Sequence, residues 1–266
     1  MPIAVDPHVA RAWIERVRGG QRERVEDELA IEEPLEIRVD GRALAVTMRT
    51  PGEDEELAAG FLAGEGLIAG PGDIESVGPT RDFAANVVEV RTRNGLRRDP
   101  GERSFYTTSS CGVCGKGALD QVRVTAGHPT PAPPVKPELV LAAPARARSE
   151  QAAFERTGGL HATALFELAG DLVVVREDVG RHNAMDKALG GQLLAGRYPL
   201  PGVVACVSGR GSFELVQKAA LAELAGIVAV GAPSSLAVEL ARERGMLLCG
   251  FVKGDSFNVY SGTLHM

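Results

Sequence analysis

Two cysteines three positions apart, Cys111 and Cys114, are the residues whose types and spacing most clearly admit chemistry. A CxxC pair can supply half of a zinc site, open and close a disulfide, or hold a reactive thiolate. Structural zinc wants four ligands, usually a second CxxC or a Cys/His pair at a matching spacing. The chain supplies no such partner, which leaves His161 or a second copy of the chain to complete a site, so zinc is not expected. A thioredoxin-like pair opens a helix after a strand, whereas Gly112, Gly115 and Gly117 surround this one and suggest a flexible loop. Arg91, Arg93, Arg97, Arg98, Arg103 and Lys116 lie close by in the sequence against only Asp99 and Glu102. Positive charge favours the thiolate, and the thiolate attacks a donor persulfide. Such a loop suits a sulfur carrier, with Cys111 expected to have a lowered pKa; the plain alternative is two exposed thiols without chemistry. Cys206 in VVACV and Cys249 in LLCGF sit in apolar runs, where a thiol is an inert core side chain.

A second group of signals lies where strands give way to helices. Arg156-Thr-Gly158-Gly159-Leu-His161 precedes a strand, while Asp178-Val-Gly180-Arg181-His182-Asn183, Ser208-Gly209-Arg210-Gly-Ser212 and Gly231-Ala-Pro-Ser-Ser235 each open a helix. Glycine permits close backbone approach, and free N–H groups at helix N-termini attract phosphate or carboxylate. Any one junction is explained by capping alone; several together, with Arg181, His182, His161 and Arg210 among them, point to a ligand site along one sheet edge. The last such segment runs from Phe251 through Val252, Lys253, Gly254, Asp255 and Ser256 to Tyr260. It reads as a plain hairpin or as a binding loop in which Lys253 offers charge and Phe251 or Phe257 a stacking face.

The elements that must position these residues follow from periodicity. Residues 1–24 form an N-terminal arm whose Val9, Trp13, Ile14 and Val17 suit a short, frayed amphipathic helix. Alternation on both sides of Asp40-Gly41 predicts a hairpin over 35–48, and 53–67 reads as a helix capped by Thr50 or Asp54. With a strand at 87–92, these make a small α+β domain, residues 25–126, ending in the CxxC loop. Residues 127–150 are a proline-rich linker and a helix, and 151–266 alternate strand and helix as an α/β cofactor-binding domain with a three-layer sheet.

Composition excludes several partners. A net charge of −6 over 266 residues argues against nucleic acid or an anionic membrane surface. No apolar run approaches the ~20 residues that span a bilayer, and the first residues lack a secretory pattern, so a cytoplasmic protein is expected.

SSCGVCGK, FERTGGLHATALF, REDVGRHNAMDKALG, SGRGSFELVQKA, GAPSSLAVELA and GFVKGDSFNVYSG, in that order, resemble the FdhD family of formate dehydrogenase accessory sulfur carriers. The hairpin and following helix fit too, so the resemblance runs from about residue 28 to the end. It implies a sulfurtransferase that accepts persulfide sulfur from a cysteine desulfurase on Cys111, with Cys114 assisting or receiving it. The acceptor it implies is molybdenum cofactor in its bis-molybdopterin guanine dinucleotide form, for the formate dehydrogenase catalytic subunit. The family's cofactor segment falls on Phe251, Val252, Lys253, Gly254, Asp255 and Ser256, and GDP or GMP would serve as a mimic. A cytidine-deaminase-like fold and a homodimer are also implied. Deamination itself is disfavoured: zinc deaminases need His-x-Glu before Pro-Cys-x-x-Cys, whereas His161 is followed by Ala162 and Thr163 and the CxxC comes earlier without a proline. A cofactor or nucleotide chaperone without covalent sulfur transfer is the remaining alternative.

Overall fold

The computed structural model describes residues 8–80, 86–98, 105–107 and 132–265, and the CxxC pair lies outside them. The first described element corrects an expectation. The arm is a two-stranded ribbon of β1 (Val9–Arg18) and β2 (Gln21–Ala30), and no helix forms over 9–18. Gly19 and Gly20 close it at φ 56° and 82°, the left-handed pair that a type I′ turn demands. Ile14 faces Val25 across the ribbon, and Arg11 with Glu26 and Glu28, Arg16 with Asp27, and Arg22 with Glu15 add charge pairs between strands. Cross-strand pairs of this kind stabilise a ribbon.

β3 (Glu33–Val39) and β4 (Arg42–Arg49) form the expected hairpin, with Asp40 and Gly41 in the left-handed region. They lie inside a sheet ordered β5 (Ile74–Pro79), β6 (Val87–Thr92), β3, β4, β7 (Phe105–Thr107). Leu35, Ile37, Val39, Val88 and Val90 turn one face of it onto α1 (Asp54–Gly64). Neither expected cap holds α1: its N-cap is Glu53, at φ 50° and without a side-chain cap bond. Arg49 claims Asp54 at 2.8 and 2.9 Å, and Thr50 is held elsewhere.

The second sheet is ordered β13 (Ser256–Ser261), β12 (Leu247–Lys253), β11 (Gly226–Ala229), β10 (Val203–Val207), β8 (His161–Glu167), β9 (Leu172–Asp178). β10, β11 and β12 are parallel, and β8 and β13 run against them. The parallel strands are buried on both faces, which is why they read as unbroken apolar runs. Val204 and Cys206 meet α2 (Pro137–Ser149) on one face. Val203, Ala205 and Val207 meet α4 (Arg181–Leu194), α5 (Phe213–Leu221) and α6 (Ser235–Glu243) on the other. The result is the expected α/β sheet with helices on both faces; a one-turn-and-a-half α3 (Ala152–Thr157) leads into β8.

The two sheets meet through α1 and α4. A Cβ on Gly60 would lie 1.9 Å from the Asp186 carbonyl oxygen, and one on Gly190 would lie 1.8 Å from that of Glu56. Glycine at both positions lets the helix backbones touch. Among the described residues no helix is long and apolar enough to cross a membrane.

Candidate functional site

β8 starts, and β10, β11 and β12 end, at one edge of the second sheet, which collects the glycine-rich junctions. The loops there are stitched together by backbone. Ser208 N–H donates to Ala162 O at 3.0 Å, Gly231 N–H to Gly209 O at 2.9 Å, and Phe251 N–H to Gly231 O at 3.1 Å. A Cβ on Gly231 would come within 3.1 Å of Gly209 O, and one on Gly209 within 3.4 Å of the His161 ring, so glycine sets this spacing.

Beside this edge lies a cavity of about 480 Å³ lined by Phe154, Gly158, Gly159, His161, Cys206 and Ser208, among others. Gly158 ends α3 at φ 65° and donates its N–H to Phe154 O. His161 is half-buried, and its pKa is lowered by burial and then by the charges of Arg181 and His182, with Asp178 opposing. It is therefore a neutral imidazole at neutral pH, with Nδ1 3.4 Å from Ser208 Oγ. Ser208 Oγ accepts from Ala162 N–H at 2.9 Å, which leaves its proton free to donate. Burial pushes the thiols of Cys206 and Cys249 up to about 12, so both are inert, as their apolar runs suggested.

The N-terminus of α4 adjoins His161. Its N-cap, Gly180, gives no side-chain cap bond, and Arg181 Nε is buried with no hydrogen-bond partner among the described residues. Uncapped N–H groups with an arginine among them make an anion-facing helix end. His182 Nε2 lies 3.4 Å from Ser212 Oγ and 3.7 Å from Glu214, whose carboxyl is held down at about 2, chiefly by the nearby His182 ring.

The structure thus gathers His161, Ser208, Gly158 and Gly159 on one cavity, with Gly180, Arg181 and His182 at the adjacent helix end. Gly209 and Arg210 continue along the edge, Arg210 being exposed. Phe251, at φ 54°, is 52% exposed as a residue, whereas Phe257 packs against the core, so of the two Phe251 is the one open to solvent. Val252 is core, and Lys253, Gly254, Asp255 and Ser256 make an exposed hairpin turn between β12 and β13. Asn183 faces inward: it donates to Met48 O at 2.7 Å and to Asp178 Oδ1 at 3.0 Å and accepts from Thr47 Oγ1 at 3.2 Å. Cys111 and Cys114 lie outside the described residues.

Sequence reasoning missed the buried group behind this edge. Asp178 and Lys187, both fully buried, pair at 3.0 Å, and Thr50 sits between them. The available signal was a lysine among Ala184, Met185, Ala188 and Leu189, a helical stretch with no exposed face for it.

The family model described as the FdhD/NarQ family matches residues 30–266. The chain belongs to the FdhD/NarQ family. Within it, the sulfur carrier protein FdhD of Streptomyces coelicolor is 52% identical over 263 residues, 95% of this chain and 93% of its own. That of Corynebacterium efficiens is 46% identical over 250 residues, 90% of each chain. A crystal structure provisionally assigned as a formate dehydrogenase accessory protein, from Desulfotalea psychrophila, superposes with a TM-score of 0.78 at 25% identity, covering 96% of this chain and 98% of its own. The resemblance read from six ordered motifs is therefore family membership. The family match begins at residue 30, so nearly all of the β1–β2 ribbon precedes it.

Proposed function

We propose that this FdhD/NarQ chain is a sulfurtransferase of the carrier type. It accepts sulfur on Cys111 from a cysteine desulfurase and delivers it to molybdenum cofactor in the guanine dinucleotide form, for the catalytic subunit of formate dehydrogenase. It works in the cytoplasm as a homodimer. The observation that carries this reading is where β7, the strand that precedes the thiol pair in the sequence, joins the first sheet. Thr107, at the end of β7, is in register with Thr47 on β4, and Thr47 Oγ1 donates to Asn183 at the start of α4. Cys111 follows Thr107 by four residues, a length of chain that spans at most about 14 Å. Thr107, the last described residue before the pair, thus lies on the strand next to β4, whose Thr47 reaches the N-terminal end of α4. The name carried by relatives as similar as 52% supports the same reading.

Loading follows ordinary persulfide chemistry. The Cys111 thiolate attacks the outer sulfur of the donor's persulfide, a new S–S bond forms at Cys111, and the donor cysteine leaves as a thiolate. Delivery at the sulfide level needs two electrons, which the Cys114 thiolate supplies by attacking Cys111 Sγ. The outer sulfur departs to the metal of the cargo, and a Cys111–Cys114 disulfide remains for a thiol reductant. At the cargo end, the α4 N-terminus and Arg181 suit phosphate, the exposed Phe251 suits a purine face, and neutral His161 with Ser208 supplies hydrogen bonds within the cavity.

Intact mass after incubation with a desulfurase and cysteine tests the carrier role. One added sulfur, absent in Cys111→Ala, is expected. A protein that takes no sulfur, or a Cys111→Ala, Cys114→Ala variant that still activates formate dehydrogenase, would leave a cofactor chaperone instead.

A further inference from the structure

We infer, resting on the sulfur-carrier reading above, that Thr50, Asp178, Asn183 and Lys187 are positioning residues that hold β4, the strand paired with β7, against the N-terminal end of α4. Thr50 is fully buried, and every polar group it has crosses from the first sheet to the second. Its N–H donates to Asp178 Oδ2 at 3.1 Å, its carbonyl accepts from Lys187 Nζ at 2.9 Å, and its hydroxyl oxygen accepts from Val179 N–H at 3.2 Å. Asp178 grips the other side with its second oxygen, which accepts from the N–H of Gly180, the N-cap of α4, at 2.8 Å and from Asn183 at 3.0 Å. Asn183 returns to Met48 and Thr47 on β4, the strand that pairs with β7.

One carboxylate therefore sets the position of both β4, the partner of β7, and the N-terminal end of α4. His161 pairs with Asp178 across β8 and β9, so the cavity wall shares the same anchor. A buried network with its members bonded has few alternative geometries. Sulfur transfer depends on such geometry, because a displacement of about 1 Å remote from the chemistry can reduce a rate on the order of a hundredfold. Loading has no such requirement, since the thiol then meets a separate donor protein.

The two half-reactions are consequently expected to respond differently. Thr50→Val keeps the β-branched shape and deletes only the acceptor for Val179 N–H, and Thr50→Ser restores it. Each full-length variant would be loaded with sulfur by a desulfurase, the persulfide counted by intact mass, and delivery measured as activation of molybdenum-containing, sulfur-free formate dehydrogenase. Loading at the wild-type level with delivery slowed about tenfold or more, rescued in Thr50→Ser, supports the positioning role. Delivery at the wild-type rate, a loss of loading and delivery by one common factor, or a loss that Thr50→Ser does not rescue overturns it. A wild-type protein that takes no sulfur overturns the carrier reading and this role together. Should Thr50→Val not fold, Thr47→Val, which deletes only the donor to Asn183, carries the same comparison.

Discussion

Asp186 and Lys187 are neighbours on α4, and each enters a buried ion pair on a different side of the helix. Lys187 meets Asp178 at 3.0 Å, and Asp186 meets Lys218 at 2.8 and 3.0 Å. The charges are alike, but their company differs. Asp178 also accepts the N–H groups of Thr50 and Gly180 and the amide of Asn183, so the pair is woven into the backbone of both sheets. Each lysine has a second acid nearby, Glu53 at 3.7 Å from Lys187 and Glu65 at 3.5 Å from Lys218, and Glu65 raises the pKa of Asp186. Burial pushes Asp178 and Asp186 up, and it carries Asp186 to about 6 in spite of Lys218. A buried pair is weak evidence of stability in itself, and what distinguishes these two is how much backbone depends on each.

The largest effect should come from breaking the woven pair. Lys187→Met leaves the Asp178 carboxylate buried without its cation and the Thr50 carbonyl without its donor, and is expected to lower unfolding free energy by about 3–5 kcal/mol. Lys218→Met should cost about 1–3 kcal/mol, because Asp186 can take up a proton instead of remaining a bare buried anion. Urea unfolding at pH 7 compares them, and equal losses would mean that the backbone links add nothing.

The strands and the junction residues were legible in the sequence, and the woven network was not. Period-two runs and the Asp40-Gly41 turn marked β3 and β4, and alternating apolar runs marked the second sheet, because burial of one or both strand faces leaves a local pattern. The ribbon was misread for a physical reason. Trp13 and Val17 share a face at helical spacing and at strand spacing alike, and the deciding signal was the Gly19-Gly20 turn between two runs of charged residues. Gly158, His161, Arg181 and Ser208 were legible because junction residues of those types are costly to place anywhere without purpose or cap. Thr50, Asp178 and Lys187 were not, since their partners lie 128 and 137 positions apart in the chain. No local window holds such a network, and Thr50 read more simply as a helix cap.

A smaller difference should appear with pH. Asp186 holds its proton more tightly in the folded protein, where its pKa is about 6, than in the unfolded chain, where an aspartate keeps its ordinary value near 3.8. Between those values the folded state binds more protons, so this group makes stability fall as pH rises, by at most about 1.4 kcal/mol per unit. Lys218, shifted upward, contributes stability that is present below its ordinary range near 10.5 and is lost only as pH rises through its folded value. From pH 4 to 6 the Asp186 effect is therefore unopposed by its partner. Asp186→Asn should flatten the fall in urea midpoint across that window, and an unchanged slope would show that the carboxylate is ionised throughout.

The smallest effect belongs to an ion pair with neither burial nor backbone. Arg22 and Glu15 face each other at 3.4 Å across the ribbon with side chains 71% and 58% exposed. Water already solvates both charges, and holding two long side chains together offsets most of the attraction. Arg22→Gln should change unfolding free energy by no more than about 0.5 kcal/mol, and added salt should erase even that. The buried pairs should keep their much larger values in the same salt, because their charges are shielded from mobile ions by the protein itself. If Arg22→Gln were as damaging as Lys218→Met, burial would not be what separates these pairs, and the ribbon would have to be held by contacts that its exposed charges do not explain.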